Sequence, residues 1–292
     1  MAQVIGVLEQ GFIYAILALG VYITFRILDF PDMSVDATFP LGAAVTAVMI
    51  SNGFHPWLAL PVSLLCGAAA GAITGLIHVR LHVRDLLSGI IVMTGLYSIN
   101  LHIAGRANVP LFTFDTMFKN SFVSGLSPQL QAYFPVILLF LLAVLCKIVM
   151  DLYLSTRSGF LLKATGDNPT LVASLAEDSG KVKILGLSIA NALVALSGSI
   201  MCQYQRYFDI SMGTGTLVLA VASVILGMQL LRGLRRLRAT TAVIIGSVLY
   251  KACVALALSL GLSPFDLKLI TAALLLIIIV IGGKNRKVRT HA

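Results

Sequence analysis

The chain has 292 residues, of which 58% are hydrophobic and only 11% charged, with a mean hydropathy of +0.96. Soluble domains carry roughly 25% charged residues, so this composition excludes an ordinary soluble fold and points to an integral membrane protein. The net charge of +9 does not require nucleic acid, because basic residues collect on the cytoplasmic loops of polytopic proteins.

The apolar segments are near-continuous rather than alternating, which favours membrane helices over a β-barrel. The expected fold is an all-α polytopic bundle forming one transmembrane domain over residues 1–292, with about nine spans. These fall roughly at 4–28, 37–51, 56–78, 86–104, 131–153, 182–203, 214–231, 240–260 and 265–283. The first basic residue is Arg26, so no basic lead precedes the first apolar run and it reads as a retained helix, not a cleaved signal. The spans at 37–51 and 214–231 are short for a full crossing and are expected to be broken helices.

Placing the N-terminus outside puts sixteen of the 21 lysines and arginines on inner segments and four on outer ones, with Lys251 inside a span. That asymmetry orients the C-terminal tail "GGKNRKVRTHA" to the cytoplasm. Lys251 must then face protein or water, or snorkel, because an unpaired ammonium in hydrocarbon is costly.

The two short spans share an echo. "DFPDMSVDATFPLGAAVTAVMI" begins at Asp29 and "YFDISMGTGTLVLAVASVIL" at Tyr207. Each pairs an aromatic with Asp, sets Met beside Ser, and runs into a small-residue half-span. They lie on opposite sides of the membrane, as broken helices of an inverted repeat would. Asp32, Ser34, Asp36, Asp209 and Met212 are therefore candidates for lining a pathway. For Asp36 and Ser34, simple capping of the next helix explains the residues as well.

Between two apolar spans runs "ATGDNPTLVASLAEDSG", Ala164 to Gly180. Asn168 suits an N-cap, Pro169 the first helical position, and Gly180 a left-handed stop. Leu171, Val172, Leu175 and Ala176 share one face. This cytoplasmic helix is either a solvated connector or a docking element for a partner. The lead-in "TRSGFLLK" is basic with a glycine hinge.

Other signals carry less. The glycines Gly67, Gly71 and Gly75 form a small-residue ladder for close helix packing, within the bundle or between two copies. His78 and His82 share a face at an inner boundary, where polar span-end residues are a better account than metal ligands. "LRGLRRLR" (Leu231–Arg238) is a topology anchor and a site for anionic lipid. The four cysteines lie in apolar segments and form no C-x-x-C pair. The outer loop Ala107–Phe134 reads as an interfacial helix, a lid or a docking face. No G-x-x-x-x-G-K-[ST] pattern is present, so any ATP hydrolysis belongs to another subunit.

The blocks "ATGDNP" and "GLSIANALVALSG" resemble ABC importer permeases of the branched-chain amino acid and ribose type. "ITFRILDFPDMSVDATFPLGAAV" and "LLSGIIVMTGLYSINLHIAGRANVPL" are closer still to the subgroup assigned to tryptophan and tyrosine uptake. The resemblance covers nearly the whole chain. It implies a cytoplasmic coupling segment at about 155–183, with Gly166, Asp167, Asn168, Pro169, Leu171 and Leu175 contacting an ATPase. The family reads a simple Gly-Ile-type turn after this segment, where the present chain has "AEDSGK". The implied assembly is two permease copies in a bacterial inner membrane, an ATP-binding cassette dimer that holds ATP and Mg²⁺, and an external solute-binding protein. No cofactor is expected on this chain. The residues alone suit a stand-alone secondary transporter or channel too, though no pair of acids lies deep in a span to carry an ion.

Overall fold

The computed structural model describes residues 2–168, 172, 178–231, 238–260, 269, 271–273 and 275–276. The ninth expected span, the cluster Arg232, Arg235 and Arg236, and the C-terminal tail lie almost wholly outside these residues. The helices are α1 (Ala2–Val21), α2 (Val35–Ser51), α3 (Ala59–Arg80), α4 (Asp85–Ala104), α5 (Ser121–Ser124) and α6 (Pro128–Leu154). They continue with α7 (Arg157–Asp167), α8 (Ser179–Gln205), α9 (Thr216–Leu230) and α10 (Ala239–Ser259). The protein is a polytopic helical membrane bundle. Among the described residues, seven helical segments are long and apolar enough to cross a membrane, and Val35–Ser51 is a shorter apolar helix.

Helix α8 is the central post. Its 27 residues span about 40 Å at 1.5 Å per residue. Gly67, Gly71 and Gly75 of α3 descend along it against Asn191, Leu187 and Ile184, so the glycine ladder packs inside the chain and antiparallel to α8. A Cβ on Gly71 would stand 2.2 Å from Leu187 O. Ser188 donates to Ala68 O at 2.7 Å across the same seam. α1 also runs antiparallel to α8, with Ser197 donating to Ile13 O and Tyr204 to Glu9. α2 runs the same way as α8, crossing it where Gly42 meets Ala195 and Gly198 meets Phe39 O. Lipid gives helices no hydrophobic reason to associate, so such backbone-to-backbone fits supply the attraction.

One end of the bundle gathers the basic residues. There Asp151 of α6 takes Lys147 at 2.8 Å and Arg238 at 3.0 Å, and accepts from Thr240 at 2.6 Å. At the opposite end a small antiparallel pair, β1 (Asn108–Pro110) with β2 (Tyr207–Asp209), ties the long loop to the top of α8. This loop holds one helical turn, α5, rather than an interfacial helix. Its Met117 N–H donates to Gln203, and Phe118 meets Tyr204 edge-on. The loop is therefore fastened down on the bundle by its buried Val109, Leu111, Met117 and Val123, while Phe112 and Phe114 stay exposed.

Gly198 and Gly95 separate packing from helix propensity. A Cβ on Gly198 would lie 1.9 Å from Phe39 O, whereas one on Gly95 meets nothing within 4 Å. Gly198→Ala should lower the thermal midpoint of the detergent-purified protein by the equivalent of about 1–3 kcal/mol. Gly95→Ala should match the wild type or gain about 0.5 kcal/mol.

Candidate functional site

The short apolar helix α2 and the helix α9 begin in the interior of the bundle and face one another. With the 3₁₀ turn before it, α9 forms a segment Ile210–Leu230 long enough to cross a membrane, rather than the short span expected. α1 ends in a π-helical turn, Tyr22–Ile27, and the chain reverses through Asp29, whose φ of 51° is left-handed. Asp tolerates that region better than most side chains. α2 then starts beside Asn191, the thirteenth of the 27 residues of α8, near the middle of that post. α9 starts at Thr216 after a 3₁₀ turn, Ile210–Gly213, and a left-handed Gly215 at φ 85°. α9 runs toward the basic end and α2 away from it.

Asp36 joins the two starts. It sits in the first turn of α2, yet its carboxylate caps α9. Gly215 N–H donates to Oδ2 at 3.0 Å, Leu217 N–H to Oδ1 at 2.8 Å, and Thr216 Oγ1 to Oδ1 at 3.1 Å. One negative charge thus answers the positive ends of two helix dipoles. Pro40 has no N–H to give Asp36 O, and Gly213 packs against that free carbonyl, where a Cβ would clash. The capping expected of Asp36 is real but acts on the other broken helix.

Asp32 is fully buried and forms a second polar knot. Ser34 N–H and Oγ donate to Oδ1 at 2.9 and 2.6 Å, and Asn191 Nδ2 donates to Oδ2 at 2.7 Å. Ser34 occupies the N-cap position of α2, but its side chain caps nothing there. Asp32, Ser34 and Asp36 therefore brace the crossing, and none of the three lines the cavity that holds Asp209. Asn191 is the residue missed, although a lone Asn within an apolar span was the available signal.

Asp209 and Met212 lie elsewhere, on a cavity of about 230 Å³ in the half of the bundle away from the basic end. Its other walls include Tyr14, Phe39, Met201 and Tyr207. Asp209 caps the 3₁₀ turn through Ser211 N–H at 2.8 Å and also accepts from Ser211 Oγ. Asn108 donates to its other oxygen at 3.2 Å. The Ser211 hydrogen bond holds the Asp209 carboxyl below the usual carboxylate range against partial burial. Its cap is in place above the ordinary carboxylate pKa and is lost as pH falls through the lower folded value. Tyr14 stacks near Phe39 with centroids 6.1 Å apart and planes 7° from parallel. Lys251 settles over the Tyr14 ring, 3.9 Å from its centroid, so it faces protein. No periodicity marks Tyr14 or Phe39, since both look like ordinary span residues.

At the basic end, Thr156 caps α7 by accepting from Gly159 N–H. Gly159 is no hinge: it is helical, and a Cβ there would strike Tyr153 O at 2.3 Å. Gly166 and Asp167 close α7 instead of opening the next helix, and Asn168 is extended at φ −157° and ψ 95°. Gly166 seats directly on Ile27 O. Pro169, Leu171 and Leu175 lie outside the described residues. Gly180 takes no left-handed turn, because Asp178 accepts from Gly180 N–H and Lys181 N–H and starts α8 there. Within the departing "AEDSGK", Asp178 is thus the N-cap of the central post. His78 has both ring nitrogens engaged, with Val83 O and Lys183 Nζ, and among the described residues no cluster of metal-ligating side chains occurs.

The Asp36 junction makes an ordered prediction. Asp36→Ala leaves the N–H groups of Gly215 and Leu217 without a partner, while Thr216 Oγ1 keeps Gly213 O, and should cost about 3 kcal/mol or more. Asp36→Asn keeps an acceptor but loses the charge, costing about 1–2 kcal/mol, and Thr216→Val about 1 kcal/mol. Thermal unfolding of the purified variants should follow that order.

The family described as the permease component of the branched-chain amino acid transport system matches residues 3–280. The chain is 44% identical over 285 residues to a tyrosine transport system permease protein of Clostridioides difficile, covering 98% of this chain and 93% of that one. It is 26% identical to the ribose import permease protein RbsC of Haemophilus influenzae, over 79% and 70% of the two chains. The solved structure of PsaBC from Streptococcus pneumoniae in complex with Fab has a similar fold. Its TM-score is 0.55 at 12% identity, covering 98% of this chain and 94% of that one. The bundle, its paired broken helices and this match across nearly its whole length lead to one conclusion: the chain belongs to the ABC importer permeases of the branched-chain amino acid and ribose type.

Proposed function

We propose that this permease is half of a dimer that imports an aromatic amino acid, driven by two separate ATPase subunits at its basic end. The observation that carries the reading is the seat of Gly166 on Ile27. It puts the end of α7, Gly166 and Asp167, against the turn that leads to Asp32 and Asp36. Leu162 and Leu28 both crowd Gly186 of α8 beside it. A push on the segment after α7 is thus delivered to the crossing of the broken helices through close-packed atoms. Contiguity of this kind supports a transmission path.

In this account the basic end faces the cytoplasm of a bacterial inner membrane, with the N-terminus outside, as the distribution of Lys and Arg favours. ATP and Mg²⁺ are held by the partner subunits, since this chain carries no Walker A pattern. Gly166, Asp167, Asn168, Pro169, Leu171 and Leu175 contact them. The opposite end, with the fastened loop, receives an external solute-binding protein. The amino-acid substrate is supported by the relative named for tyrosine transport. With rigid broken helices on each side, closure of the ATPases opens the pathway to one face at a time.

The test is a pull-down of the tagged permease from native membranes, beside tyrosine uptake in liposomes. An ATPase with a Walker A motif should accompany the wild type, and changing Asn168, Pro169 and Leu175 together should release it. Uptake should require ATP. A permease that purifies alone and transports without ATP is a secondary transporter, and the reading fails.

A further inference from the structure

The cavity beside Asp209 lies beyond the Asp36 junction from the basic end, so it sits where a solute arriving from the opposite side would first meet the broken helices. Its walls divide by chemistry. Tyr14, Tyr207 and Met212 bring aromatic and thioether surface to it, with Phe39 and Met201 buried behind them. Aromatic faces take another ring in offset or edge-on contact, and methionine sulfur adapts to either. Asp209 supplies the other side with a carboxylate. Its Oδ1 is occupied by Ser211, but Oδ2 accepts only from Asn108, at 3.2 Å. An anionic oxygen has a second lone pair to offer, and an ammonium group satisfies it better than a neutral donor does. At about 230 Å³ the space is below the range of drug-sized pockets and is on the scale of one small solute.

We infer that this cavity is a binding site within the permease for a free aromatic amino acid, with its ring against Tyr14, Tyr207 and Met212 and its α-ammonium on Asp209. The inference rests on the importer reading above and deepens it: the permease itself selects, in addition to any delivering protein. Gln205, Tyr207 and Ser211 also line the wall and can donate to the ligand's carboxylate, but none is a cation that would pair with its charge. The ammonium and the ring are therefore the recognised features. A neutral sugar offers no charge to Asp209 and is not the solute this wall fits.

The experiment uses the permease with its ATPase in nanodiscs, without a binding protein, and measures equilibrium binding of radiolabelled tyrosine. Binding should saturate. Tyramine, which keeps the ring and the amine, should compete. 3-(4-Hydroxyphenyl)propionate, which keeps the ring and the acid, should not. Asp209→Asn retains an acceptor for Ser211 and should weaken binding about ten-fold or more. Met212→Ala should weaken it a few-fold. Asp115→Asn makes the same charge change at an exposed site of the same end and should bind like the wild type. The inference is overturned if binding does not saturate, if the propionate competes as well as tyramine, if ribose competes, or if Asp209→Asn binds normally while melting like the wild type. Tyrosine uptake by the complete system separates the two claims. Uptake with unchanged kinetics in Asp209→Asn removes the site and leaves the importer reading intact. A wild-type system that moves no aromatic amino acid removes both.

Discussion

A helix that begins inside a membrane presents N–H groups that no water can reach, and every such group left unpaired costs free energy. This protein has two helix starts buried in the interior of its bundle, and it places them face to face around one carboxylate. Asp36 belongs to α2 by sequence and to α9 by hydrogen bonding. Much else follows from that sharing. Pro40 is tolerated one turn into α2 because the carbonyl it leaves free meets Gly213. Gly215 turns left-handed to aim the first N–H groups of α9 at Asp36. Asp32, Ser34 and Asn191 pin the same start to the middle of α8.

Close approach of backbones holds the rest around this junction. α8 meets α3 through glycines 67, 71 and 75, and meets α2 through Gly42 and Gly198. The contacts are too short for any side chain beyond hydrogen, so they set the helix separations as much as they attract. A post gripped on several sides is a fixed reference. The broken segments on its flank and α7 at its basic end are the parts whose geometry can convey a change.

Much of this was legible in the sequence. Long apolar runs announce spans because hydrocarbon thickness fixes their length, and the two short runs stood out for the same reason. The echo between "DFPDMSVD" and "YFDISMGTG" pointed to the two places where the chain does break. What pattern could not reveal was pairing. Asp36 looks like an ordinary first-turn acid, and only the fold brings Gly215 to it from 179 residues away. Gly159 looked like a hinge and Gly180 like a stop, because glycine in a polar stretch so often is one. Here Gly159 is a contact point, and Asp178 has taken Gly180 into the first turn of the next helix. Tyr14 and Phe39 were invisible as site residues, since aromatics in membrane spans are common and their stacking depends on two helices crossing.

The central claim is that the two broken helices start at mid-membrane and run to opposite faces. Single cysteines placed at Asn52, just past α2, and at Leu230, the last residue of α9, in a background lacking the four native cysteines, test it directly. A membrane-impermeant maleimide should label position 52 in intact cells and position 230 only after the cells are opened. Labelling of both positions from the same side would contradict the account.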